Sequence, residues 1–165
     1  MTFDLHAMEA IKQLKYRYIR ALDSADVETL GNCFIETASI KFEGGIYTAA
    51  VTGRGNIREA MANSFHSKAA SSHLLHHPVI DVLDDANAEG SWTVRDTFYD
   101  LHHSAIISGV AEYRDEYVKE ADGMWRMKYS SYKRLYETAQ PLPSDLNFTA
   151  RKLAETGKDL GLDVS

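Results

Sequence analysis

Between Leu5 and Leu22 the apolar positions Met8, Ile11, Leu14, Tyr18 and Leu22 recur three or four apart, the stripe of an amphipathic helix packed on something larger. Asp23, Ser24 and Asp26 follow at once. Their short acceptor side chains predict the end of that helix and the cap of a second one over Val27 to Ile35. Short strands are predicted at Ala38 to Phe42 and Ile46 to Val51, around Gly44-Gly45. The break Thr52-Gly53-Arg54-Gly55 then leads into a third helix over Asn56 to Ser67.

From Ser72 onward the period changes from three or four to two. β-branched and aromatic residues alternate with polar ones over Ser72 to Leu83, Ala88 to Leu101, Ala105 to Val118 and Met124 to Thr138. The connections are short, which makes antiparallel neighbours of these runs. Helices followed by a meander predict an α+β domain rather than βαβ units. Pro141 and Pro143 end the last run, and a modest helix is predicted over Phe148 to Leu160. The chain reads as one domain, with a body over 1–140 and a tail over 141–165 that covers a pocket mouth or a neighbouring subunit.

Alternation assigns the strand residues to faces. Leu74, His76, Pro78, Ile80 and Val82 share one face of their run, and His73, Leu75, His77, Val79 and Asp81 share the other. On the next run Trp92, Val94, Asp96 and Phe98 point together, which sets a carboxylate among large apolar groups at a cost of several kcal/mol unless it is compensated. Tyr18 lies in the buried helical stripe, and its hydroxyl needs a partner. Each residue also has a purely structural reading: Tyr18 as core, Asp23 as a helix cap, His76 as a satisfied strand histidine. A metal site among the histidines is not expected. On one strand His73 and His77 lie about 13 Å apart with His76 facing away from both.

The chain of 165 residues is long enough for a single core, and its formal net charge of -6 comes without a long basic run. Nucleic acid and a basic membrane-surface role are therefore not expected. The N-terminal stretch lacks the pattern of a signal peptide, and no segment approaches the about 20 apolar residues of a membrane span, which predicts a cytoplasmic protein. The single cysteine, Cys33, reads as a buried thiol.

The stretch Ala10 to Asp23 resembles the opening helix of the SnoaL-like branch of the nuclear transport factor 2-like superfamily. Its Tyr-x-x-x-x-Asp spacing falls on Tyr18 and Asp23, a His-x-Pro falls on His76 and Pro78, and a Trp-x-x-x-Asp falls on Trp92 and Asp96. Trp125 and the Tyr132 to Tyr136 segment fit the closing strand. Within that branch the chain looks closest to the bile-acid 7α-dehydratases and more distantly like hexachlorocyclohexane dehydrochlorinase and scytalone dehydratase. The second histidine of scytalone dehydratase has no counterpart here. The resemblance implies a cone-shaped α+β fold, a strongly curved antiparallel sheet with helices enclosing an apolar pocket. It also implies a lyase without cofactors or metal, assembled as a homodimer or homotrimer.

On that resemblance the catalytic set is an Asp23–His76 dyad with Tyr18 and Asp96 nearby, and Trp92, Phe98 and Leu74 line the substrate site. His76 takes a proton from carbon and returns it to the departing oxygen, Asp23 orients it, and Tyr18 stabilises the enolate. Asp96 is expected to be a protonated acid because of its apolar face. The substrate class is a hydrophobic, cyclic hydroxy-ketone, steroid-like or polyketide-like. The alternatives are a ketosteroid-isomerase-like proton shuttle, a non-catalytic binding or assembly domain, and a dioxygenase small subunit that needs a large partner. Tyr113, Tyr117 and Tyr129 are read as an apolar sheet exterior suited to self-association.

Overall fold

The structure, a computed structural model, describes residues 4–161, so the first three positions of the predicted body and the last four of the predicted tail lie outside it. Helix α1 spans Leu5–Ser24, and Asp4 caps it by accepting from the Ala7 N–H at 2.9 Å. Helix α2 covers Val27–Asn32 with Asp26 as its cap, accepting from Thr29 N–H at 3.0 Å. Asp26 thus takes the capping role, which leaves the Asp23 carboxylate free for other partners. Among the described residues no helix is long and apolar enough to cross a membrane.

Strand β1 (Phe34–Glu43) begins earlier than the sequence predicts, because Phe34 pairs with Met127 across the sheet instead of continuing α2. Strand β2 is Thr48–Thr52, α3 is Arg54–Ser64, and the long strands are β3 (Ala69–Val82), β4 (Asn87–Asp100), β5 (Ala105–Lys119) and β6 (Trp125–Pro141). They form one sheet in the order β2-β1-β6-β5-β4-β3. All neighbours are antiparallel except β1 and β6, which run parallel. Helix α4 is short, Lys152–Thr156, and Phe148 lies before it, stacked edge-on to Tyr99 at 5.1 Å between centroids. The tail packs on its own chain: Arg151 donates to the carbonyls of Ser67 and Ala69, and Ser67 N–H donates to the Lys158 carbonyl at 3.0 Å. A Cβ at Gly157 would stand 2.6 Å from the carbonyl carbon of His66, so the residue there has to be glycine for the tail to lie that close.

One irregularity decides which side chains face inward. In β3 the register with β4 shifts between His76 and Val79: His76 pairs with Thr93, but Val79 pairs with Ser91, so three steps on β3 match two on β4. The extra residue is a β-bulge, with His77 at φ 49° and Pro78, which has no N–H to offer a ladder, on the edge strand. Side-chain phase reverses across it. Beyond the bulge Ile80 and Val82 point inward, and before it the inward positions are His73 and Leu75, paired with Asp96 and Val94. The face predicted to carry Leu74 and His76 inward is therefore outward, and both residues are exposed.

The sheet's inner face and α1 enclose the core. Tyr113 and Tyr117 of β5 belong to this inner face and are buried, contrary to the reading that placed them on the exterior. The same face carries Asp115, whose charge is met by a residue the sequence pattern did not single out. Lys15 of α1 is wholly buried with its Nζ 2.7 Å from Asp115 Oδ2, though not aligned as a hydrogen bond. Asp115 also accepts from Ser130 at 2.6 Å and from Tyr117 at 2.7 Å, and Tyr117 in turn accepts from the Trp92 indole at 2.9 Å. Cys33 is buried as well; desolvation raises its thiol to about 11.

Removing one partner of a buried ion pair strands the other charge, so Lys15→Met is expected to lower unfolding free energy by about 3–5 kcal/mol. Urea denaturation checks this, and a loss below about 1 kcal/mol contradicts a buried, charged Asp115.

Candidate active site

The inner face and helices α1 and α3 wall a cavity of about 370 Å³. One side is apolar, with Leu22, Ile40, Val51, Met61, Phe65 and Phe98, and the other presents Tyr18, His73, Asp96, Tyr113, Tyr132 and Arg134. A concave, mostly apolar space with a few convergent polar groups is the usual form of a small-molecule site. A second, more open groove of about 470 Å³ lies on the outer sheet face, with Asp81, Glu89, Glu112 and Arg114 among its lining; it holds none of these groups.

His73 and Asp23 form the centre of the polar side. Asp23 Oδ1 lies 2.7 Å from His73 Nδ1 and accepts from Ser71 Oγ at 2.7 Å, while Oδ2 accepts from the His73 backbone N–H at 2.9 Å. β3 is an edge strand, so this N–H has no ladder partner, and the carboxylate at the end of α1 supplies one. Burial alone would raise the Asp23 carboxyl. The hydrogen bond and charge of His73, then Ser71 and the backbone N–H, outweigh burial and hold it below the ordinary carboxylate range. An ionised carboxylate only accepts, so the proton of the neutral imidazole sits on Nδ1 and the lone pair on Nε2.

His73 Nε2 looks toward Asp96, whose Oδ2 is 3.8 Å away, too far for a direct hydrogen bond but close enough for one substrate or water oxygen on the cavity side to bond both. Asp96 pairs directly across the ladder from His73. Arg134 Nη1 donates to Asp96 Oδ1 at 2.8 Å, which places a cation beside this acid. Arg134 also donates through Nε to Glu137 at 3.0 Å and through Nη2 to Tyr47 Oη at 3.3 Å, and the hydroxyls of Tyr47 and Tyr132 are bonded to each other. Burial works against the guanidinium charge, but the bond to Asp96 and the carboxylate's charge prevail and raise the Arg134 pKa.

Tyr18, Asp23, Asp96 and Phe98 thus gather where the sequence places them, with Asp23 just behind the cavity wall. Three other assignments need correction. His76 is exposed, its ring 5.8 Å from that of His77, and does not reach the cavity; His73 takes its place because of the bulge. Leu74 points outward for the same reason and is 53% exposed. Trp92 does face inward, but it lies in the core with its indole N–H committed to Tyr117. Pro78 within a strand pattern was the signal for the phase change. Arg134, Tyr47 and Tyr113 carry no local signal, since only the sheet order brings them to Asp96 and Tyr18. Among the described residues no group of three or more His, Cys, Asp and Glu side chains is placed to hold a metal ion.

Residues 4–131 match the SnoaL-like domain. Among solved structures the chain is similar to a candidate scytalone dehydratase of Novosphingobium aromaticivorans, at 19% identity and a TM-score of 0.74 over 88% of this chain and 97% of that one. Hexachlorocyclohexane dehydrochlorinase type 3 of Novosphingobium barchaimii matches at 20% identity and a TM-score of 0.72, over 88% and 96%. A protein of unknown function from Mycobacterium tuberculosis matches at 25% identity and a TM-score of 0.65, over 90% and 82%. These likenesses establish the shared fold.

The depressed Asp23 pKa has a stability consequence. Its contribution is fully present above the ordinary carboxylate value and is lost as pH falls through the lower folded value. The stability gap between wild type and Asp23→Asn should therefore be widest near neutrality and close below about pH 4. Denaturation midpoints across pH check this; a gap independent of pH contradicts it.

Proposed function

The chain belongs to the SnoaL-like domain family, and from that premise we propose that it is a cofactor-independent lyase removing water from a hydrophobic, cyclic hydroxy-ketone. His73 carries the proton and Asp23 orients it. The observation that carries this reading is the His73–Asp23 pair at 2.7 Å, opening onto a carboxylate 3.8 Å beyond Nε2 inside an apolar-walled cavity. The names dehydratase and dehydrochlorinase borne by two proteins of the same fold, both eliminations, support the reaction class.

In the proposed reaction Nε2 of His73 takes a proton from the carbon next to a ketone, and the electron pair moves into an enolate. Tyr18 donates its hydroxyl to the enolate oxygen; burial, and next the charge of Asp115, raise its pKa, so it remains a donor. Asp23 stabilises the imidazolium that forms. The imidazolium returns the proton to the departing hydroxyl, the carbon–oxygen bond breaks, a carbon–carbon double bond forms and water leaves. Asp96, fixed by Arg134, accepts a hydrogen bond from the substrate hydroxyl and aims it at Nε2. The apolar wall and the cavity volume suit a compact cyclic molecule.

Incubation with a panel of hydroxylated steroid and aromatic-polyketide ketones, read by mass, is expected to give a product lighter by one water. Product of unchanged mass replaces the lyase reading by an isomerase. His73→Gln is expected to lose about 10²–10⁴-fold in kcat, whereas His76→Gln, on the outer face, is expected to match wild type. The reverse pattern overturns the assignment.

A further inference from the structure

We propose that Tyr113 of β5 acts together with Tyr18 as a two-hydroxyl clasp for the substrate oxygen that gains negative charge. This deepens the lyase reading and rests on it. Four phenols stand on the polar side of the cavity: Tyr18, Tyr47, Tyr113 and Tyr132. Two are satisfied within the protein, since the Tyr47 and Tyr132 hydroxyls bond to each other and Tyr47 also accepts from Arg134. The other two are not. Among the described residues neither the Tyr18 nor the Tyr113 hydroxyl has a hydrogen-bond partner, although the residues are only 1% and 3% exposed. Lys15 Nζ is the one buried polar side-chain atom without a hydrogen bond among the described residues, so these two hydroxyls open onto the cavity that their rings wall, and their partner belongs to whatever occupies it.

The two rings are held stiffly from behind. The buried Lys15 ammonium lies 4.9 Å from the Tyr18 centroid and 4.4 Å from that of Tyr113, clamping both by cation–π contact. Phe34 meets the Tyr18 ring edge-on at 5.7 Å, and Tyr132 lies 4.8 Å from the ring of Tyr113. Burial first, then the neighbouring phenol of Tyr18, push Tyr113 well above its ordinary pKa, so its hydroxyl keeps its proton. Two fixed donors without acceptors suit an oxygen with several lone pairs and growing charge, such as the oxygen of an enolate. The ion pair Lys15–Asp115, which the proton transfers do not use, thus acquires a positioning role behind the clasp.

The test uses 4-nitrophenol, a flat ring carrying an anionic oxygen, against nitrobenzene, which has the same ring without that oxygen. Binding to each is measured by absorbance titration in wild type, Tyr113→Phe and Tyr18→Phe. The wild type is expected to prefer 4-nitrophenol by about tenfold or more, and either variant to lose about tenfold of that preference. Nitrobenzene binding should be unchanged, because phenylalanine keeps the ring and its contact with Lys15, and so it reports an intact cavity. A wild type without the preference, or a Tyr113→Phe protein that retains it, overturns the proposal. Failure of the ketone panel leaves this binding measurement standing, and failure here leaves the His73 chemistry standing.

Discussion

A single extra residue in the edge strand governs what this cavity can do. Had β3 paired with β4 without a bulge, the inward phase set by Ile80 and Val82 would have carried on to His76 and Leu74, and His73 would have faced solvent. The turn of phase at His77 and Pro78 exchanges the two histidines. It also sets His73 opposite Asp96 on the ladder and presents the His73 backbone N–H to Asp23, so backbone and ring together anchor one carboxylate. Asp23 is available for this because Asp26 caps the next helix.

The charges of the inner face follow the same economy of partners. Asp23 meets His73, Asp96 meets Arg134, and Asp115 meets Lys15. Each carboxylate is desolvated, and each has a cation or imidazole within reach, as burial requires. Arg134 is shared between Asp96 and Glu137, and Glu137 also accepts from the Gly45 N–H in the β1–β2 connection. The position of Asp96 is thereby tied to β6 and to the β1–β2 connection. Among the polar groups lining the cavity, the imidazole Nε2, the Asp96 carboxylate and the hydroxyls of Tyr18 and Tyr113 face its interior.

Much of this architecture was legible in the sequence. The α1 stripe, the period-two runs and their short connections predict the helices and the meander, and alternation along β4 correctly faces Asp96 and Phe98 inward. The parallel pairing of β1 with β6 was not legible, because it joins segments far apart in the chain, and it moves Phe34 from a helix to a strand. Unbroken alternation carried through Pro78 selects His76, whereas a residue without an N–H at that point marks an irregular ladder. Alternation gives β5 two faces without saying which is inner, and Tyr113 and Tyr117 lie on the inner one. Lys15 in the helical stripe and Asp115 on β5 each look like exposed charges until the fold brings them together.

The central claim, that His73 is the imidazole oriented by Asp23, can be read directly from its ring nitrogens by histidine-selective NMR near neutral pH. The account predicts that neutral His73 carries its proton on Nδ1, in a resonance protected from exchange and lost in Asp23→Asn, while His76 exchanges freely. A neutral His73 protonated on Nε2, unaffected by Asp23→Asn, would contradict it.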